Sequence, residues 1–465
     1  MDSEYLVGDF SFDNFKSAIV KMKQNEIVVL GAGESGVGAA ILAKKLNLSV
    51  FVTDSGKISE LNKTELNSHD IEWEENGHNK ERILDAALVV KSPGVPEKID
   101  LIKKLRINNV TIISEIEFAS RYTTAKIIGI TGSNGKTTTT MLTFHLLKAA
   151  KINVEIGGNI GNSFARLIAN NLDKKNEKQP IYVLEISSFQ LDDIQNFRPD
   201  ISIMLNITPD HLDRYEYVFD NYVRAKFLIT KNQTENDVFI VNEEDTAIQN
   251  YISKNTILAT KNFIRKKNIT ENSVKVGNNI FNLEKTQLKG PHNFFNAACA
   301  LQAALLVGAD EDLLQEGLET FQTPEHRLEF VTSINGIDFI NDSKATNVDS
   351  VFWALSAMKK PTILILGGVD KGNDYSQIES LVGEKVKTIV AMGTDNSKII
   401  NFFNKKITNF FDTQTIQLAL DAAFSVANPG DVILLSPACA SFDLFKNYED
   451  RGQQFKRLVN QLKEN

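Results

Sequence analysis

Short β-branched runs, each followed by an amphipathic stretch rich in alanine or leucine, recur along the whole chain. That alternation predicts strands and helices laid around parallel sheets, because a parallel connection needs a crossover long enough to hold a helix. The first unit opens with EIVVLGAGESGVGAAILAKKL, a strand over 26–30, a glycine turn and a helix. LSVFVTD, ALVVKSPGV and VTIISEIEFASRY continue it, each strand ending in polar or glycine residues at the edge where open α/β sheets bind ligands. A second unit begins near Ala125 with KIIGITGSNGKTTTTMLTFHLLKAA and runs on through IYVLEISS, ISIMLNIT and DVFIVN. The stretch KKNITENSVKVGNNIFNLEKTQLKGPHNFFN alternates and carries Asn and Gly turns, which predicts a small antiparallel section, and two helices over about 291–307 and 310–320 close the unit. After FQTPEHRLEF, the segment FVTSINGIDFIND reads as a hairpin on an Asn-Gly turn. PTILILGG, KTIVAMG and DVILLSPA are then buried strands of another doubly wound sheet.

A chain of 465 residues is too long for one core. The expected architecture is therefore α/β with three domains: 1–122 Rossmann-like, 123–322 a P-loop ATPase-type parallel sheet with the antiparallel section, and 323–465 Rossmann-like again. A net charge of −8 argues against a nucleic-acid partner or a polybasic membrane anchor. Cys299 and Cys439 lie in apolar surroundings outside any C-x-x-C pair, so reduced buried thiols are expected. There is no run of eighteen apolar residues, and MDSEYLVGDFSFDNF lacks a basic start followed by an apolar stretch. No membrane insertion and a cytoplasmic location are the expectation.

TGSNGKTTTT sits between a strand and a helix, the context a phosphate loop demands, although Ile130 stands where the usual pattern begins with glycine. Gly132, Ser133, Asn134, Gly135, Lys136, Thr137 and Thr138 are expected to cradle ATP phosphates at the positive end of the helix. Lys136 would contact the β and γ phosphates, and Thr137 would offer its hydroxyl to Mg²⁺. Glu185 ends the strand of IYVLEISSFQL, where a carboxylate can hold Mg²⁺ or simply cap a helix. His211 lies close to Asp210 and Asp213 in NITPDHLDRY, as a ligand or as a loop histidine. Lys226, one helical turn after Tyr222, either snorkels to water or is desolvated and nucleophilic enough to take up carbon dioxide. GAGESG with Asp54 about twenty residues on matches a dinucleotide fingerprint and keeps an NAD-dependent oxidoreductase in play. In the third unit, Lys344 of NDSKATN, Lys371 of GGVDKGND and Ser441 of SPACASFD suit a substrate bearing carboxylates, or are turn residues with solvated lysines. Arg327 of EHRLEF could reach back to the ATP phosphates from the joint between units.

TGSNGKT, EISSFQL, NITPDHLDRY, HNFFNAACA, HRLEF, NDSKATN and LLSPACASFD, in that order, resemble the Mur ligase family over nearly the whole chain. SSFQL and SPACASFD resemble the branch that adds D-glutamate, and the DNPR stretch of diaminopimelate-adding relatives is absent. The resemblance implies an ATP- and Mg²⁺-dependent amide ligase of peptidoglycan precursor synthesis. It would phosphorylate the carboxylate of UDP-N-acetylmuramoyl-L-alanine and let the amine of D-glutamate displace the phosphate. It also implies roles for residues: Lys136, Glu185, His211 and Lys226 in catalysis; Thr137, Glu185, His211 and a carbamylated Lys226 on metal; Asn293, Asn296, Arg327 and Asp342 on ATP. Ser35, Gly36 and Asp54 would then hold the uridine diphosphate, which reassigns the apparent NAD fingerprint, with Asn159 and Ser187 near the muramoyl part. Lys344, Thr346, Lys371, Ser441, Phe442 and Tyr448 would receive D-glutamate, Tyr448 standing where the family pattern has phenylalanine. A sibling ligase adding another amino acid, such as L-alanine, is the alternative within the family. A monomer is expected, with the third unit closing over the second about joints near Thr123 and Thr323. Residues 1–25 receive no role.

Overall fold

The computed structural model describes residues 26–174, 178–288 and 290–464, so the early segment 1–25 lies outside the described residues. The first sheet comprises β1 (Ile27–Leu30), β2 (Val50–Thr53), β3 (Glu72–Glu74), β4 (Leu88–Lys91) and β5 (Ile112–Ser114), in the order β3-β2-β1-β4-β5 and parallel throughout. Ile27 lies opposite both Val50 and Leu88, so the three central strands are buried on both faces, which is why they read as unbroken apolar runs. The strand order reverses at β1, opening a crevice at the carboxyl ends of β1 and β4.

The second sheet holds β6 (Ile127–Thr131), β7 (Val154–Gly158), β8 (Ile181–Glu185), β9 (Ile201–Met204), β10 (Val238–Asn242) and β11 (Thr260–Ile264). Its order is β11-β10-β9-β6-β8-β7, again all parallel, so β6 sits in the interior and delivers the phosphate loop to the middle of the sheet's edge. β12 (Ser273–Val276) and β13 (Asn279–Asn282) form the small antiparallel pair, and the helices Pro291–Leu306 and Glu311–Thr320 follow.

The third sheet comprises β14 (Glu329–Ile334), β15 (Ile337–Asn341), β16 (Thr362–Leu366), β17 (Val386–Met392), β18 (Asn409–Thr413) and β19 (Val432–Leu435), ordered β14-β15-β19-β16-β17-β18. Only β14 runs antiparallel, joined to β15 through Asn335 and Gly336, both at positive φ as a tight hairpin turn requires. The structure thus has the mixed α/β architecture that the strand and helix alternation predicts, and it adds four edge strands, β3, β7, β11 and β18, that the pattern did not announce. Cys299 and Cys439 are both buried and unpaired. No helix among the described residues is long and apolar enough to cross a membrane.

Candidate active site between the second and third sheets

β6 ends at Thr131, the chain turns through Gly132 to Gly135, and the Lys136–Ala149 helix begins. Gly135 caps that helix at φ +83, and a Cβ there would lie 2.6 Å from Asn296 Oδ1, so the loop tolerates only glycine against the Pro291–Leu306 helix. Lys136 Nζ folds over the loop and donates to the carbonyls of Gly132 and Ser133, both at 2.9 Å. Lys226 Nζ reaches the same Gly132 carbonyl from below, at 2.8 Å. Its side chain is 1% exposed and lies over the Tyr222 ring, so it does not snorkel to water. Burial first, and the Lys136 charge second, push the Lys226 amine well below the usual lysine range.

Glu185 is buried at the end of β8. Its Oε1 accepts from Asn159 Nδ2 at 2.8 Å, while its Oε2 is buried without a hydrogen-bond partner. An orphaned carboxylate oxygen within charge range of Lys136 and Lys226 is a position that a hard cation would satisfy. No three His, Cys, Asp or Glu side chains among the described residues cluster to hold a metal alone. His211 stands at φ +53 with 42% of its side chain exposed and Nε2 3.6 Å from Asp210 Oδ2. Partial burial, then Lys371 and Lys136 against the opposing pull of Asp210, hold its imidazole below the usual range, so the ring is neutral and able to ligate. Burial works against the Asp210 charge, but Lys371, which also bonds it, and Lys136 keep that carboxyl below its ordinary value.

A cavity of about 520 Å³ runs from Asn134 and Gly135 along the joint between the second and third units, with Asn293, Asn296, Arg327 and Asp342 on its walls. Arg327 Nε is buried without an acceptor, a donor that an anionic oxygen would satisfy. Asp342 accepts from Ser436 Oγ at 2.7 Å and from the Leu328 amide, and burial raises its carboxyl to about 7. The third unit reaches into the loop directly. Lys344 Nζ donates to Thr137 Oγ1 at 2.9 Å and lies 5.1 Å from the Tyr448 ring centre, while burial and Arg327 lower its amine to about 8. Lys371 pairs with Asp210 at 3.1 Å. Thr346 precedes the Val348–Ala357 helix, Ser441 is buried, and Phe442 is 73% exposed; none of the three lines this cavity.

A second cavity, about 690 Å³, fills the crevice of the first sheet and includes Ser35, Asp54, Asn159 and Gln190. Asp54 accepts the amides of Ala32 and Gly56, each at 2.8 Å, and so fixes the glycine turn. Gly36 packs its helix onto that turn, since a Cβ would lie 1.8 Å from the Gly31 carbonyl oxygen. Ser187 caps the short Ser188–Leu191 helix in a capping box with Gln190. Asn159 belongs to this cavity and also holds Glu185, so the crevice meets the phosphate loop at that residue.

The family described as Mur ligase middle domain matches residues 130–304, the Mur ligase glutamate ligase domain matches 326–439, and the MurD N-terminal domain matches 26–100. The UDP-N-acetylmuramoylalanine–D-glutamate ligase of Cytophaga hutchinsonii is 49% identical over 451 residues, which cover 94% of this chain and 99% of the relative. The chain belongs to the Mur ligase family. The enzyme of the same name from Bacteroides fragilis is also 49% identical, over 447 residues, covering 94% of this Mur ligase and 99% of the relative. Its fold is similar to a pseudomurein peptide ligase type C from Methanothermus fervidus, with a TM-score of 0.59 at 18% identity over 94% of this chain and 100% of the other. It is likewise similar to UDP-N-acetylmuramate–alanine ligase from Thermotoga maritima, with a TM-score of 0.58 at 18% identity, covering 94% and 100%. Family membership leaves no place for the oxidoreductase reading of GAGESG.

Side chains that the sequence left unmarked complete the site of this Mur ligase. Asn134 in the loop is held by Asp349, Ser350 and Asn347, all from the third unit. Trp353 and His292 face the same cavity. Their signal in the sequence was faint: Asp349 and Trp353 are spaced i, i+4 on one helix face just beyond NDSKATN.

Proposed function

We propose that this Mur ligase joins D-glutamate to UDP-N-acetylmuramoyl-L-alanine in a reaction driven by ATP. The observation that carries the proposal is Asn159, which lines the first-sheet cavity and bonds Glu185 beside the phosphate-loop lysines. A nucleotide-linked substrate in that cavity would present its carboxylate near Asn159, within reach of a γ-phosphate on the loop. The relatives that match nearly end to end carry the name of the D-glutamate-adding enzyme, which favours that amino acid over L-alanine.

In the first step a substrate carboxylate oxygen attacks the γ-phosphorus and ADP leaves, giving an acyl phosphate. The D-glutamate amine then adds to the acyl carbon, loses a proton, and the tetrahedral species expels inorganic phosphate. Lys136 turns from its two carbonyl partners to the phosphates, and Arg327 gives its unpartnered Nε–H to an anionic oxygen. Mg²⁺ would supply charge neutralisation on the phosphates, held by Thr137 and Glu185 with His211 nearby. Burial pushes the Lys226 amine well below the usual lysine range and so favours the neutral form, whose nitrogen can bond the carbon of carbon dioxide and release a proton; the resulting carbamate would offer the metal a carboxylate. Lys344 and Lys371 offer cations to the carboxylates of the incoming amino acid.

Phosphate release from ATP with Mg²⁺ and UDP-N-acetylmuramoyl-L-alanine tests the proposal, with D-glutamate, L-glutamate, L-alanine or L-lysine in separate reactions. Release is expected with D-glutamate alone. Release only when UDP-N-acetylmuramate and L-alanine are supplied instead would overturn the substrate assignment. In buffer stripped of carbon dioxide at low enzyme concentration, the same rate should fall and recover on adding bicarbonate. A rate indifferent to bicarbonate would count against the carbamate.

A further inference from the structure

The third-unit wall of the 520 Å³ cavity is one face of the Val348–Ala357 helix, contributing Asp349, Ser350, Trp353 and Ala354. The Trp353 indole N–H donates to the Asp349 carboxylate, and Asp349 Oδ2 accepts from Asn134 Nδ2 at 2.5 Å. Ser350 Oγ donates to Asn134 Oδ1 at 2.9 Å. The plane of the indole is thus fixed through one carboxylate to a side chain of the phosphate loop. On the second-unit side the cavity is lined by apolar Leu205, Ile269 and Phe295 and also by the polar Asn242, Glu244, Asp245 and Lys266. His292 has its ring centre 5.7 Å from that of Trp353, and burial, then Arg327, lowers its imidazole to about 4, so it is a neutral ring.

Asn134, Asn296 and the unpartnered Arg327 Nε line this cavity beside the phosphate loop. Trp353 and the neutral His292 imidazole add flat ring surface to the same cavity. A ligand that meets both the loop and these rings carries phosphates and a flat ring with polar edges. On the reading that ATP occupies the cavity, the geometry points to Trp353 as the platform on which the purine base stacks, held in plane by Asp349. Stacking on an aromatic side chain contributes enough to shift affinity by about tenfold or more, and it tolerates differences in the base edge. The base-binding residue therefore comes from the third unit while the loop that cradles the phosphates belongs to the second, so one nucleotide spans the joint.

Trp73 is the other tryptophan of the chain; it lies in β3 with its indole bonded to Asn67, away from both cavities. Trp73→Phe therefore leaves Trp353 as the sole indole. In that variant with Mg²⁺, ADP is expected to quench the emission saturably, with the midpoint that calorimetry gives. Inorganic tripolyphosphate, which has the charge and no base, should leave emission unchanged. Trp353→Ala should weaken ADP about tenfold and tripolyphosphate not at all, and Trp353→Phe should recover most of the loss. ADP that binds calorimetrically without altering emission overturns the assignment. So does a Trp353→Ala protein that keeps parental ADP affinity, or one that loses both ligands equally because the indole only holds the helix in place. D-glutamate-dependent phosphate release in the same preparations reports separately on the ligase reading.

Discussion

Glu115 is 1% exposed, with Oε1 accepting the Ala165 amide and Oε2 buried without a partner. Burial raises its carboxyl to about 8; the Ala165 amide opposes the rise and the nearby Glu34 charge adds to it. An unfolded glutamate titrates near 4.3, so between about 4 and 8 the folded chain binds the extra proton. The stability this gives is complete below the unfolded value and is lost as pH rises through about 8. Glu115→Gln keeps an acceptor for the Ala165 amide and removes the ionisation. Relative to that variant the parent should therefore lose stability, on the order of a few kcal/mol, between pH 5 and pH 8. Urea midpoints at the two pH values measure the difference, and parallel shifts in parent and variant would rule out Glu115 as the source. Nothing in the local sequence announced this carboxyl. VTIISEIEFASRY reads only as a strand ending in polar residues; the Glu115–Ser120 helix capped by Ser114, and its burial against the Phe164–Asn171 helix of the second unit, come from the fold.

At the scale of elements, the meeting of the Lys136–Ala149 and Pro291–Leu306 helices fixes the phosphate loop, because Asn296 occupies the space above Gly135. Alanine at 135 would need the left-handed region, at roughly 1–2 kcal/mol, and would also press on the buried Asn296. Gly135→Ala should raise the KM for ATP at least about tenfold, the size such a strain implies, and leave the KM for D-glutamate within about twofold of the parent. Equal changes in both constants would mean general loosening of the fold and not a distorted loop. This loop was legible from strand, turn and helix signals, and the same holds for the central strands, whose burial on both faces writes continuous apolar runs. Edge strands were not: β3 is Glu-Trp-Glu and β18 contains Asn409, Asp412 and Thr413, since a strand with one neighbour and a wet face carries little apolar signal. The phosphate-loop lysine and Glu185 could be singled out because each lies at its own strand end or helix start, whereas spacing left Lys226 between snorkelling and desolvation until its burial was seen. Trp353 could not, because the cavity it lines has its other wall on a different sheet.

For the molecule as a whole, the apolar cores decide what can move. One hydrophobic cluster runs from Ile27 and Val29 of the first sheet through Phe164 and Tyr182 to Phe239 of the second, so those units share a core. Their seam is also polar: Glu117 accepts the amides of Gln195, Asn196 and Phe197, and Arg166 bonds Glu34 at 2.7 Å. The third unit has its own clusters on the two faces of its sheet, built only from residues beyond 327. Its polar ties to the second unit include Lys344 to Thr137, Asp349 to Asn134 and Lys371 to Asp210, side chains that ATP, metal and amino acid would also engage. We therefore place the working joint near 322 and 323, and treat the boundary near 122 and 123 as a seam between units that move together. Ties of this kind contribute about 1 kcal/mol or less each when water reaches them, too little to hold one arrangement. In solution without ligands the third unit should sample open positions, and a nonhydrolysable ATP analogue with UDP-N-acetylmuramoyl-L-alanine should draw it in, since one nucleotide bridges both walls. Small-angle scattering should then give a radius of gyration larger than that of the closed structure without ligands and smaller once both are added. The analogue alone should account for most of the fall in the parent and for less of it in Trp353→Ala. A radius that ignores both ligands would mean the third unit is fixed by contacts other than these.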